Sequence, residues 1–127
     1  MEATDNALNW FEIAVSDLST AKKFYDQIFG IEMAQRDMTG MAMAFFPTDD
    51  STGKVSGALV QSPMHTPSPT GSFIYLNGNP DLSLVLDRVE AAGGQVQMPK
   101  TYVSKEVGYM AFFIDTEGNK VGLHSYK

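Results

Sequence analysis

The sequence predicts an α+β domain made of two tandem βαβββ modules, with the strands in a shared sheet and the helices outside. Three observations predict it. Apolar periodicity runs strand, helix, three strands, then a proline-rich stretch, then the same order again. The letters repeat with the pattern: Met43-Ala44-Phe45-Phe46 recurs as Met110-Ala111-Phe112-Phe113, and Lys54-Val55 after a glycine turn recurs as Lys120-Val121. One copy, about sixty residues long, would bury too little surface to be comfortable alone, so the two should pack together. Module one covers about residues 8–61, a linker 62–71, and module two about 72–126, within a single domain of residues 1–127.

The elements follow in order. Phe11, Ile13 and Val15 alternate with Trp10, Glu12 and Ala14, which reads as a strand with one face under a helix. Ser16-Asp17 supplies an N-cap, because a short side-chain oxygen accepts the orphan N–H groups of a first helical turn. Leu18, Ala21, Phe24, Tyr25 and Ile28 recur at three-to-four spacing, and Gly30 ends the helix. Strands are expected at 31–36, 41–46 and 54–61, separated by turns at Gly40 and over 47–53. Three prolines within 62–71 forbid a helix or a central strand there. The second copy then gives a strand over 73–76 and a helix opened by Asn79-Pro80-Asp81. The stripe Leu82, Val85, Leu86, Val89 faces inward, and Gly93-Gly94 closes the helix. Strands at 95–98, 109–114 and 120–125 complete it, with 115–119 as the last turn and a turn-rich segment over 100–108. In each Phe-Phe pair, one ring should face the helix and the other the open side of the sheet.

Composition narrows the function. Hydrophobic residues are 43% of the chain, which excludes disorder. Nine Lys and Arg against fifteen Asp and Glu leave a net charge of −6, which argues against nucleic acid and anionic membranes as partners. With no cysteine, a disulfide framework, a thiolate metal site and a thiol nucleophile are excluded. No apolar run approaches the roughly eighteen residues of a membrane span, and Met1 to Trp10 has no signal-peptide core. The resulting expectation is a soluble cytoplasmic protein. No glycine-rich phosphate loop, Gly-x-Ser-x-Gly elbow or His-Glu-x-x-His motif is present.

Val15-Ser16-Asp17-Leu18 with Phe24-Tyr25 and Phe29-Gly30, the paired modules, and the closing Asp115-Thr116-Glu117-Gly118-Asn119-Lys120 resemble the vicinal oxygen chelate superfamily. That group includes glyoxalase I, extradiol dioxygenases and the fosfomycin and bleomycin resistance proteins. The resemblance is greatest to a glyoxalase-like branch and covers roughly residues 8–126. It implies that the strands curl into a cup-shaped mixed sheet with the site inside, and that homodimers are common. It also implies four cup-facing metal-ligand positions, here Trp10, Ala58, Phe73 and Gly122. Indole N–H only donates, and Phe, Ala and Gly side chains offer no lone pairs, so the usual metal site looks absent. Metal-free members are commonly binding proteins.

Two residues further along the same faces lie Glu12, His124 and, on the third strand, Tyr75. These three are the candidate catalytic residues, roofed by Trp10 and Phe73. Ala58 and Gly122 are small enough to leave volume, and Met43 and Met110 suit an adaptable apolar wall. Two functions follow. The first is metal-independent binding of a small, largely apolar or aromatic molecule, with no cofactor. The alternative is a glyoxalase-like lyase or isomerase in which Glu12 takes a proton and His124 or Tyr75 stabilises the enolate. A divalent metal at Glu12 and His124 is the less favoured variant. The structural reading is a buried Glu12–His124 hydrogen bond that fixes the first strand against the last. His65 is expected as a solvated linker residue, Tyr25 as a core residue with its hydroxyl at the surface, and Lys105 as a loop charge near the mouth.

Overall fold

The computed structural model describes residues 1–127 apart from 39, 50 and 52, and Met38 by its backbone alone. The expected turn over 47–53 contains Asp50 and Thr52, which lie outside the described residues. The chain runs β1 (Trp10–Ala14), α1 (Leu18–Phe29), β2 (Ala34–Met38), β3 (Met41–Phe45) and β4 (Ser56–Gln61). It then repeats as β5 (Tyr75–Asn77), α2 (Ser83–Leu86), β6 (Gln95–Ser104), β7 (Gly108–Ile114) and β8 (Lys120–Ser125). The strands form two four-stranded mixed sheets, ordered β1-β4-β3-β2 and β5-β8-β7-β6. In each, the first strand pairs in parallel with the last, and the remaining pairs are antiparallel. The fold is therefore the α+β duplication of a βαβββ unit, with two open sheets where a single curled one was expected.

Local chemistry explains most boundaries. Asp17 accepts from Thr20 N at 3.2 Å and caps α1, and Gly30, at φ 63°, closes it with its N–H on Asp26 O. β2 begins three residues later than the apolar pattern suggests. Ile31 N–H bonds Asp26 O and Met33 N–H bonds the Asp26 carboxylate, so this stretch folds back on the helix end and its donors are spent before the ladder starts. β6 runs to Ser104 and absorbs much of the expected loop. It passes through Pro99 because β6 is an edge strand, where a missing N–H removes no ladder bond from a central neighbour. α2 is a single helical turn. Beyond Leu86 the bonds tighten to i→i−3, as in Arg88 N–H to Val85 O and Val89 N–H to Leu86 O, before Gly93 at φ 103° ends the segment. The predicted stripe is still buried: Leu82 and Val89 are fully enclosed.

One core joins the two modules. Phe24 and Tyr25 of α1 lie 5.8 and 6.2 Å, ring to ring, from Phe113 of β7. Arg88 Nη1 donates to Ile28 O at 3.3 Å, and Asn119 Nδ2 to Ala14 O at 2.7 Å. The Glu117 carboxylate accepts from the N–H groups of Ser16 and Asp17, placing a negative charge at the start of α1. Tyr25 departs from expectation. Its hydroxyl does not reach the surface; it is fully buried and donates to Asp115 Oδ2 at 2.8 Å. Asp115 also accepts from the backbone N–H of Glu117 and Asn119 and from Asn119 Nδ2. Burial lifts the Asp115 carboxyl above the ordinary range, against the opposing pull of those bonds. Burial and the charge of Asp115 together raise the Tyr25 phenol well above its usual value.

Candidate ligand site on the open sheet faces

Strand alternation sorts the side chains into two populations. Ile13, Leu59, Phe113, Val121 and Leu123 enter the common core under the helices. Their neighbours point the other way. Phe45 and Phe112 lie on the open faces, whereas Phe46 packs on Tyr25 and Phe113 on Phe24, as the Phe-Phe pairs predict.

The open faces repeat each other position by position. On the first, Glu12 pairs in register with Ala58, and Ala58 with Phe45. On the second, Tyr75 pairs with Gly122, and Gly122 with Phe112. Trp10 and Phe45 have ring centroids 5.9 Å apart, and Phe73 and Phe112 5.7 Å apart. Tyr75 adds a third ring to the second face, 5.4 Å from Phe112. Met43, Ala58 and Val60 form a separate apolar patch flanked by Met41 and Phe45. The result is two aromatic half-sites whose outer rings stay open: Trp10 is 42% exposed, Phe73 47% and Tyr75 49%.

The small residues behave differently from expectation. Gly122 leaves no free volume, because a Cβ there would fall 2.5 Å from the Tyr75 ring. Glycine is needed for that ring to lie flat on the strand. Ala58 is fully enclosed rather than at an open floor.

The expected Glu12–His124 pair is not formed. His124 donates from Nε2 to Val107 O at 2.5 Å and stands edge-on to Tyr126, with centroids 4.7 Å apart. With Tyr75 and Met110 it lines a cavity of about 570 Å³ on the second half-site. Glu12 instead accepts from His65 Nε2 at 2.8 Å and from Trp10 Nε1 at 3.3 Å. His65 is thus not a solvated linker residue. Its Nδ1 meets Ser62 Oγ at 2.6 Å, and its side chain is 18% exposed. The Ser62-x-x-His65 spacing held the clue, since it closes a turn through His65 N–H to Ser62 O. Lys105 is exposed in the turn between β6 and β7.

Lys120 also belongs to the second open face, where alternation with the buried Val121 and Leu123 puts it beside Gly122 and His124. Its Nζ sits 4.9 Å from the Phe73 centroid and 4.5 Å from that of Phe112. It lines a cavity of about 230 Å³ together with Glu12, Thr66, Ser68 and Asn119.

The family metal requires imidazole or carboxylate donors, and the residues at the implied positions offer none, so the donor set does not fit a divalent ion. Glu12 and His65 supply two donor groups and are spent on each other; among the described residues, no three His, Cys, Asp or Glu side chains converge. No helix among the described residues is long and apolar enough to cross a membrane.

Similarity to known proteins agrees with this architecture. Residues 7–123 match the family model of the Glyoxalase/Bleomycin resistance protein/Dioxygenase superfamily. The chain is 31% identical over 123 residues to CFP32 of Mycobacterium bovis, a protein provisionally assigned as a glyoxylase, covering 91% of this chain and 44% of that one. Glyoxalase I of Zea mays superposes with a TM-score of 0.72 at 20% identity, over 94% of this chain and 46% of the maize chain. A glyoxalase/bleomycin resistance protein of Albidiferax ferrireducens superposes with a TM-score of 0.66 at 19% identity, over 94% and 98% of the two chains. This chain therefore spans a little under half the length of CFP32 and of the maize enzyme. The duplicated module, the register of its two half-sites and the match over nearly the whole sequence lead to one conclusion: the chain belongs to the glyoxalase/bleomycin resistance protein/dioxygenase superfamily.

Proposed function

We propose that this protein binds a small, largely apolar or aromatic molecule on the open sheet faces, without the metal used elsewhere in the superfamily. One observation carries the reading. Rings and thioethers cover both half-sites, and their outermost members, Trp10, Phe73 and Tyr75, remain roughly half exposed. Aromatic area left uncovered at about this level favours a partner that buries it, at roughly 25 cal/mol per Å². A second copy of the chain completing the cup belongs to the same proposal, since dimers are common in this superfamily and a partner copy would cover the exposed rings.

Trp10 is the chain's single tryptophan and lies in the site. Its emission is expected to change saturably with planar aromatic probes such as biphenyl-4-carboxamide. Phe112→Ala should weaken that binding by about tenfold, from lost stacking of ~1.4 kcal/mol. Light scattering on the same sample should give twice the 13.9 kDa chain mass. A flat titration across a panel of mono-, bi- and tricyclic aromatics would overturn the reading.

A second reading, proton abstraction by Glu12, has one observation in its favour. His65 and Trp10 hold the carboxylate in place, and it lines a cavity beside a cation. Glu12→Gln is then expected to lower turnover of a hemithioacetal by at least ~100-fold while leaving the unfolding midpoint nearly unchanged. Wild-type protein with no turnover above the buffer rate would remove this reading.

A further inference from the structure

We propose that Lys120 selects ligands carrying an anionic group, so that the site takes an aromatic carboxylate in preference to a neutral aromatic. The inference rests on the aromatic-binding reading above and specifies its ligand class. The observation behind it is a cation in an unusual setting. Lys22 and Lys100 each meet a carboxylate, Asp26 at 2.6 Å and Asp81 at 2.8 Å. Among the described residues Lys120, like most of the nine Lys and Arg, has no carboxylate within ion-pair range; what sets it apart is its place over two rings at once. Its ammonium is held instead against the Phe73 and Phe112 rings.

That placement has consequences for recognition. The rings strip part of the water from one side of the ammonium and return only the modest attraction of their π-faces. An anion arriving on the free side meets a cation already oriented and partly desolvated, so less is lost on pairing than with a freely moving surface lysine. Phe73, 47% exposed, presents apolar ring surface beside the charge, backed by the buried Phe112 ring. A molecule with a carboxylate joined to an aromatic body satisfies both at once.

The repeat adds direction. By the register that equates Ala58 with Gly122, the first-module counterpart of Lys120 is Ser56, a neutral residue whose hydroxyl is bound to Phe46 O. At this register position only the second half-site therefore carries a cation; Arg36, in register with Met43 on the first face, lies on the edge strand β2, so the two half-sites are not equivalent toward an anion. Glu12 is the acidic group on the same cavity, and its two oxygens are taken up by His65 and Trp10 rather than by Lys120.

The test compares biphenyl-4-carboxylate with biphenyl-4-carboxamide, matched in shape and differing in charge. Binding to wild type, Lys120→Gln and Lys120→Arg is followed by Trp10 emission and checked by calorimetry. Wild type is expected to favour the carboxylate by about tenfold at low ionic strength, with the preference shrinking toward ~0.15 M salt. Lys120→Gln should bring the ratio close to one, and Lys120→Arg should keep it. A ratio near one in wild type, or one unchanged in Lys120→Gln, overturns the role of Lys120 and leaves aromatic binding standing. Failure of both compounds to bind wild type overturns the two readings together.

Discussion

Replacing Asp115 with alanine is expected to lower stability by about 3 kcal/mol, a fall of ~2 M in the urea midpoint at a slope near 1.5 kcal/mol per M. The carboxylate is 4% exposed and takes four donors: the Tyr25 hydroxyl, two backbone N–H groups and Asn119 Nδ2. Removing it strands several of these in a space too enclosed for easy hydration, and an unsatisfied buried donor costs more than a hydrogen bond normally contributes. The damage should spread, because Asn119 ties module two to Ala14 of β1 and Tyr25 ties it to α1. A midpoint within ~0.3 M of wild type would show that the network does not lock the modules together.

The same carboxyl sets a pH dependence. Burial raises its folded-state value above the ordinary 3.8. A raised folded value means that the folded protein holds the proton more tightly than the unfolded chain does. The associated stability is fully present below pH 3.8 and is lost as pH rises through the raised folded value. Asp115→Asn does not titrate there. Its deficit relative to wild type is therefore expected to be largest in acid and to narrow as pH climbs through that window. Stability measured at several pH values on both proteins checks this, and a constant difference would contradict it. Tyr25 gives a second, alkaline limb. Its contribution is complete below pH 10 and is lost as pH rises toward its raised folded value.

Phe113→Ala is expected to cost about 3–5 kcal/mol, the range for truncating a large buried aromatic. Phe113 is fully buried and is where α1 of module one rests on the sheet of module two, through Phe24 and Tyr25. The resulting cavity sits at the junction, so denaturation should remain a single transition at a lower midpoint. Two separated transitions would mean that the modules fold independently. Phe112→Ala, one residue away, is expected to cost less stability and to act on ligand binding, because its ring, though only 8% exposed, lies outside the core shared by the modules and packs against Phe73 and Tyr75 on the open side. Two adjacent phenylalanines are thus predicted to fail in different assays, and the alternation of a strand is the reason.

The duplication, the start of α1 and the inward stripes were legible in the sequence because they depend on local periodicity and capping, whereas α2 starts only at Ser83, with Leu82 at its N-cap position and no side-chain cap bond. Asp17, Gly30 and Gly93 act where their side chains, or lack of one, required them to. Strand alternation also placed Trp10, Glu12, Tyr75 and Gly122 on the open faces, since a period of two is set by backbone geometry alone; the strand expected over 73–76 begins only at Tyr75, so Phe73 reaches its face from the segment before β5. What lay beyond the sequence were contacts made across the fold. Only the tertiary structure turned Glu12 toward His65 rather than His124, laid Tyr75 over Gly122, buried the Tyr25 hydroxyl on Asp115 and set Lys120 against two rings. These partners lie far apart in the chain, from 45 residues upward in most cases, roughly the span of a whole module. Local preference decides which face a side chain takes, whereas its partner on that face is decided by how two modules and a linker close around a shared core.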